Sequence, residues 1–122
     1  MPFGPKRFPP GMKGAFSFQK DERLLRRVDF VNVNRSGKHC HMRHFIAIAG
    51  KNELGTTRLG VTASKKVGNA IRRNRAKRLI REFYRLNKAR LPKGYDIVVI
   101  AKKGAGYLNF RKAEKELEEI IA

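Results

Sequence analysis

The sequence predicts an α/β fold, an α+β two-layer sandwich built on a mixed sheet, from three observations. Helical and strand-like hydrophobic patterns follow one another as helix, strands, helix, strand, helix. Asp96-Ile97-Val98-Val99-Ile100-Ala101 is a near-continuous apolar run, as in a strand covered on both faces. The 122 residues suffice for one domain that buries about two-thirds of its unfolded surface, and they contain no internal repeat.

Residues 1–19 hold four Pro and three Gly in their first fourteen positions, a composition that sustains neither helix nor ladder. They are expected to form a flexible N-terminal extension, leaving residues 20–122 as a single α/β domain. Asp21 to Ser36 reads as helix: Leu24, Val28 and Val31 recur at i, i+4, i+7, with Phe30 and Val33 on a neighbouring face. Gly37 stops it. His39 to Ala49 reads as one extended segment, and Lys51 to Gly55 turns the chain.

Thr57 to Ser64 alternates as a strand, with Leu59, Val61 and Ala63 toward the core and Gly60, Thr62 and Ser64 away from it. Asn69 to Asn87 contains no Pro or Gly and reads as a long helix ended by Leu91-Pro92-Lys93-Gly94. After the apolar strand, Gly104 to Leu108 is loop. Asn109 caps a last helix to about Ile121, which buries Phe110, Ala113, Leu117 and Ile120.

The long helix is the chemically distinctive element. Ala76, Leu79, Ile80, Phe83 and Leu86 fall on one arc; Asn74, Lys77, Arg78, Arg81 and Arg85 lie opposite, with Arg73 at the edge. Residues 64–88 carry ten Lys and Arg against one acid, Glu82, four residues after Arg78. A merely solvated face mixes signs, because like charges four residues apart repel. Arg73–Lys77, Lys77–Arg81 and Arg81–Arg85 all repel, and a bound polyanion relieves that repulsion. Lys65, Lys66, Arg72, Arg73, Asn74, Arg75, Lys77, Arg78, Arg81 and Arg85 are therefore the expected nucleic-acid-binding set.

The whole chain agrees: 29 Lys and Arg against 10 Asp and Glu give a formal net charge of +19. Four of the acids crowd into the last nine residues, so the body is more one-sided than the total. No apolar run approaches the ~20 residues that span a bilayer, and no signal-peptide core opens the chain, so no membrane partner is expected. The one cysteine, Cys40, permits no internal disulfide and suits a cytoplasmic location.

Catalytic groups are scarce. There is no phosphate-cradling glycine loop and no carboxylate pair at a cleft. His39, Cys40, His41 and His44 are zinc-ligand types, but no second Cys/His cluster completes four ligands, so they read as strand residues, some touching RNA. The equipment is for binding. Gly60, Thr62 and Ser64 would floor a shallow surface suited to a single strand, with Phe30 either its wall or simply core.

The run Arg58-Leu59-Gly60-Val61, Ser64-Lys65-Lys66-Val67-Gly68-Asn69-Ala70 and Arg73-Asn74-Arg75-Ala76-Lys77-Arg78-Leu79-Ile80-Arg81 resembles the signature of the bacterial ribonuclease P protein family. The likeness spans about residues 22–121. It implies an α-β-β-β-α-β-α order with a left-handed βαβ crossover, where the general rule favours the right-handed one. It also implies a partner, a large catalytic RNA that uses Mg2+ and removes the 5′ leader of precursor tRNA, and no obligate protein partner.

By the same resemblance, Arg73, Asn74, Arg75, Lys77, Arg78 and Arg81 serve the catalytic RNA and nearby metal-dependent structure, and Phe30 lines a leader-binding cleft. Two cleft positions often aromatic in relatives align with Asn34 and Ile48, so the expected cleft set is Phe30, Asn34, Ile48, Thr62 and Ser64. The competing class is a structural ribosomal RNA-binding protein; a sequence-specific DNA-binding module is third and lacks a framing motif.

Overall fold

A computed structural model describes residues 23–24, 27–52 and 54–121. The expected extension over residues 1–19 and the expected helix start at Asp21 lie outside them. The elements are α1 (Arg27–Ser36), β1 (Lys38–His41), β2 (Phe45–Lys51), β3 (Arg58–Ala63), α2 (Ala70–Asn87), β4 (Tyr95–Ala101) and α3 (Phe110–Leu117). The order helix, three strands, helix, strand, helix is the expected one.

The sheet runs β1-β2-β4-β3. β1 pairs antiparallel with β2, β2 antiparallel with β4, and β3 parallel with β4 through the α2 crossover. Period-2 alternation assigns its two faces. One face carries Leu59, Val61, Ala63, Ile97, Val99 and Ala101 and packs under α2 and α3 as the main core. The other carries Ile48 and Val98, which pack with Leu24, Phe30 and Val33 beneath α1. This explains the continuous apolar run of β4: it is the strand that both cores share.

Three expectations need correction. Residues 23–24 are extended, not helical: Arg23 bridges Leu59 in parallel, and Leu24 N–H donates to Leu59 O at 2.9 Å. Consequently the inward face of α1 is Phe30 and Val33, while Val28 and Val31 are 48% and 42% exposed. The stretch from His39 to Ala49 is not one extended segment but a hairpin. It reverses at Met42–His44, where Met42 N–H donates to Phe45 O at 2.8 Å.

Gly37 does follow α1, for reasons of space. A Cβ there would lie 2.6 Å from Val33 O and 2.8 Å from Ile48 Cγ2, so only glycine lets the chain pass from helix to sheet. Asn69 caps α2 and Asn109 caps α3, each side-chain oxygen accepting an N–H from three residues on. In α2 the buried side includes Ala76, Leu79, Ile80 and Phe83 as expected, but also Tyr84, whose hydroxyl donates to Thr57 O at 3.2 Å. Leu86 is only half-buried.

Candidate nucleic-acid interface

Two surfaces converge from the sequence analysis: the outer side of α2 and the open part of the sheet face beside α1. On α2, burying the apolar arc forces the cationic residues outward. Asn74, Arg78 and Arg81 are exposed, and Arg73 and Lys77 are half-buried. Lys65 and Lys66 stand exposed on the 3-10 turn Lys65–Val67 immediately before the helix. Among the described residues, no ion pair or hydrogen bond engages the side chains of these seven. A row of unpaired cations costs stability through self-repulsion, and phosphates relieve it.

Three of the expected cations are engaged within the protein. Arg75 Nε donates to Gly106 O at 3.1 Å and its Nη2 to Leu108 O at 2.9 Å. Arg72 Nη1 donates to Gly106 O at 3.3 Å, and its guanidinium lies 4.0 Å over the Tyr107 ring. These contacts tie the 3-10 turn Ala105–Tyr107 to the start of α2. A Cβ at Gly106 would come within 2.8 Å of Arg72 O, so glycine is what lets the two backbones approach. Arg85 chelates Glu82 at 3.2 and 2.6 Å, so the one acid of this stretch pairs with Arg85 and not with Arg78. The ion pair leaves Arg78 bare.

The second surface is a cleft of about 480 Å³ lined by Arg27, Phe30, Val31, Asn34, Ile48, Thr62, Val98 and Ile100. It brings together four of the five expected cleft residues from three separate segments. Ser64 is the exception: it stands exposed at the entrance to the following 3-10 turn and does not line the cleft. Ile48 is 1% exposed and supplies floor, whereas half-buried Phe30 is at once packed on the small core and open to the cleft. Sequence reasoning missed Arg27 and Val31, although Arg27, Phe30, Val31 and Asn34 form an i, i+3, i+4, i+7 helical stripe that pointed to them.

A partly buried ion pair ties β3 to β4 in the sheet that carries both surfaces. Arg58 donates to Asp96 through Nε and Nη2 at 2.8 and 2.7 Å, and Asn52 Nδ2 donates to the same carboxylate at 2.8 Å. Arg58 also lies 3.7 Å from Asp29, which links α1 to β3. Burial pushes the Asp96 carboxyl up, but the hydrogen bonds from Arg58 and Asn52 and the guanidinium charge outweigh it and hold it below the usual carboxylate range.

The zinc-type residues are dispersed. His39 and His41 stack on one face of β1, their centroids 6.2 Å apart, while Cys40 packs toward the main core. His44 Nδ1 meets Glu116 Oε1 at 2.9 Å. Among the described residues no three His, Cys, Asp or Glu side chains come together as a metal site. No described helix is long and apolar enough to cross a membrane.

A mixed sheet with a bare cationic helix on one side and an aromatic-walled cleft on the other defines a small α+β protein of the RNA-binding kind. A family model described as Ribonuclease P matches residues 18–122. The ribonuclease P protein component of Desulforapulum autotrophicum is 48% identical over 108 residues, 88% of this chain and 92% of the relative. That of Geotalea uraniireducens is 45% identical over 106 residues, 87% of this chain and 93% of the relative. The solved ribonuclease P protein of Thermotoga maritima matches with TM-score 0.74 at 36% identity, covering 82% of this chain and 94% of its own. That of Staphylococcus aureus matches with TM-score 0.74 at 33% identity, covering 81% and 91%. The chain belongs to the ribonuclease P protein family. It is a protein component of that endoribonuclease, acting in tRNA 5′ processing with an RNA partner, and the ribosomal alternative is set aside.

Proposed function

We propose that the chain binds the catalytic RNA of ribonuclease P through the outer face of α2 and the Lys65–Lys66 turn, and holds the 5′ leader of precursor tRNA in the cleft beside α1. The observation that carries this is the convergence of Phe30, Asn34, Ile48 and Thr62 on one cleft while Arg78, Arg81 and Lys77 have no partner among the described residues on the far side of the sheet. The two surfaces lie on opposite faces of the sheet, so one small protein can engage the catalytic RNA with one side and substrate with the other.

The roles follow from the chemistry of the side chains. Lys77, Arg78 and Arg81 neutralise phosphates and release counterions, which supplies affinity without sequence preference. Phe30 offers a ring face to one unstacked base, a contact that tolerates any sequence. Thr62 and Asn34 offer hydrogen-bonding groups at the cleft wall. Mg2+ belongs, on this proposal, to the RNA subunit, which performs the hydrolysis in the cytoplasm. The protein raises the yield of productive complex by gripping the strand that is removed, so it favours precursor over product.

Reconstitution tests the division of labour. Protein rigorously freed of RNA is expected to leave precursor tRNA intact, and addition of the cognate RNA with Mg2+ is expected to give leader removal. Metal-dependent cleavage by the RNA-free protein would place the catalyst in this chain and overturn the proposal.

A further inference from the structure

The sheet face that floors the cleft does not end at β2. In the paired register, Thr62 of β3 lies beside Ile100 of β4, Ile100 beside Ile46 of β2, and Ile46 beside His41 of β1. Directly paired residues share a face, so these four side chains form one row on the α1 side of the sheet. The adjacent row runs from Val98 through Ile48 to His39. The sheet face that floors the cleft therefore continues, through half-exposed Ile46, to two exposed imidazoles stacked at 6.2 Å with their planes 19° apart.

We infer that His39 and His41 form a second stacking subsite for the 5′ leader, continuous with the Phe30 cleft; the inference rests on the leader-binding proposal above. Three observations point to a single-stranded nucleic acid as the occupant. The strip crosses three interstrand gaps, about 14 Å, long enough for more than one nucleotide of an extended strand. It is apolar along its middle and carries aromatic rings at both ends, the arrangement by which an RNA-binding sheet stacks successive bases. Its margins are cationic: Arg27 lines the cleft, and Arg43, exposed, follows His41 by two residues.

The pair also answers a chemical deficit. Asn34 and Ile48 offer the cleft no ring, so among the described residues Phe30 is its only aromatic lining residue. His39 and His41 restore two ring faces farther along the strand's path. Cys40 between them points to the main core, which locks the register that keeps both imidazoles on the leader side.

The test measures holoenzyme affinity for three RNAs under conditions that block cleavage: precursor with a long leader, precursor with a leader of two nucleotides, and mature tRNA. The proteins are wild type, His39→Ala/His41→Ala, His39→Phe/His41→Phe and Phe30→Ala, each assembled with the RNA subunit to verify folding. The alanine pair is expected to weaken long-leader binding about five- to thirtyfold, with little change for the short leader and none for mature tRNA, and the phenylalanine pair to restore it. Unchanged long-leader affinity in the alanine pair, with a loss in Phe30→Ala, overturns the histidine subsite and leaves the cleft standing. Unchanged affinity in both variants overturns the subsite and the leader proposal together. An equal loss for mature tRNA, or no rescue by phenylalanine, also overturns the inference.

Discussion

The ring of Phe30 rests on the bare backbone of Gly60: a Cβ at residue 60 would come within 2.7 Å of Phe30 Cζ and 2.8 Å of Cε1. That contact sets how far α1 stands from the sheet and hence how wide the cleft opens. It also explains a glycine in mid-strand, where none is favoured on propensity alone. Phe30 is thereby both a core residue and a cleft wall, with Cζ and Cε1 against Gly60.

Gly60→Ala is therefore expected to cost about 1–3 kcal/mol of stability by overpacking and to displace the Phe30 ring. Chemical denaturation reads the first effect and precursor affinity the second. A variant with unchanged stability and unchanged affinity would show that the ring does not lie on residue 60.

The cations of α2 divide by what they touch. Replacing Arg78 and Arg81 together with alanine should leave folding intact and weaken RNA binding. Each lost phosphate contact should flatten the plot of log K against log salt by about 0.7–0.9. Arg75→Ala should instead lower stability by about 1–3 kcal/mol, because two backbone carbonyls lose a charged donor. Salt-dependent titrations beside denaturation curves separate the two; an unchanged slope in the folded double variant would show that Arg78 and Arg81 do not face RNA.

Asp96 confers an acid sensitivity. Its carboxyl is held below the usual range in the fold, so its contribution is complete above about pH 3.9, the unfolded value, and is lost as pH falls through the lower folded value. Stability should drop over that window in wild type. Arg58→Gln should be destabilised at neutral pH, by about 1–3 kcal/mol, and show a flatter pH dependence below pH 4. A pH profile for Arg58→Gln parallel to wild type would contradict this assignment.

How much of this was legible beforehand differs by element. The alternation of Leu59, Val61 and Ala63 and the apolar arc of α2 follow directly from periodicity, because one-sided burial leaves a pattern in sequence. The start of α1 was not legible. Leu24 is buried, but by pairing of residues 23–24 with β3, and local spacing cannot tell a helical stripe from a strand contact that arrives from elsewhere. The hairpin at Met42–His44 lacks a glycine signal, which is why β1 and β2 read as one segment. In the site, Phe30 and Thr62 were legible from face and residue type. The withdrawal of Arg72 and Arg75 into contacts with Gly106 and Leu108 was not, since those partners lie more than thirty positions away.

The central claim is that this protein holds the strand that mature tRNA has lost, and the ratio of holoenzyme affinities for precursor and mature tRNA in Phe30→Ala tests it most directly. One base–aromatic stack is typically about 1–3 kcal/mol, so precursor affinity should fall roughly five- to a hundredfold, toward the lower end because Asn34 and Ile48 bring no further ring, while mature tRNA affinity stays constant. A folded Phe30→Ala protein that keeps the wild-type ratio would contradict the account.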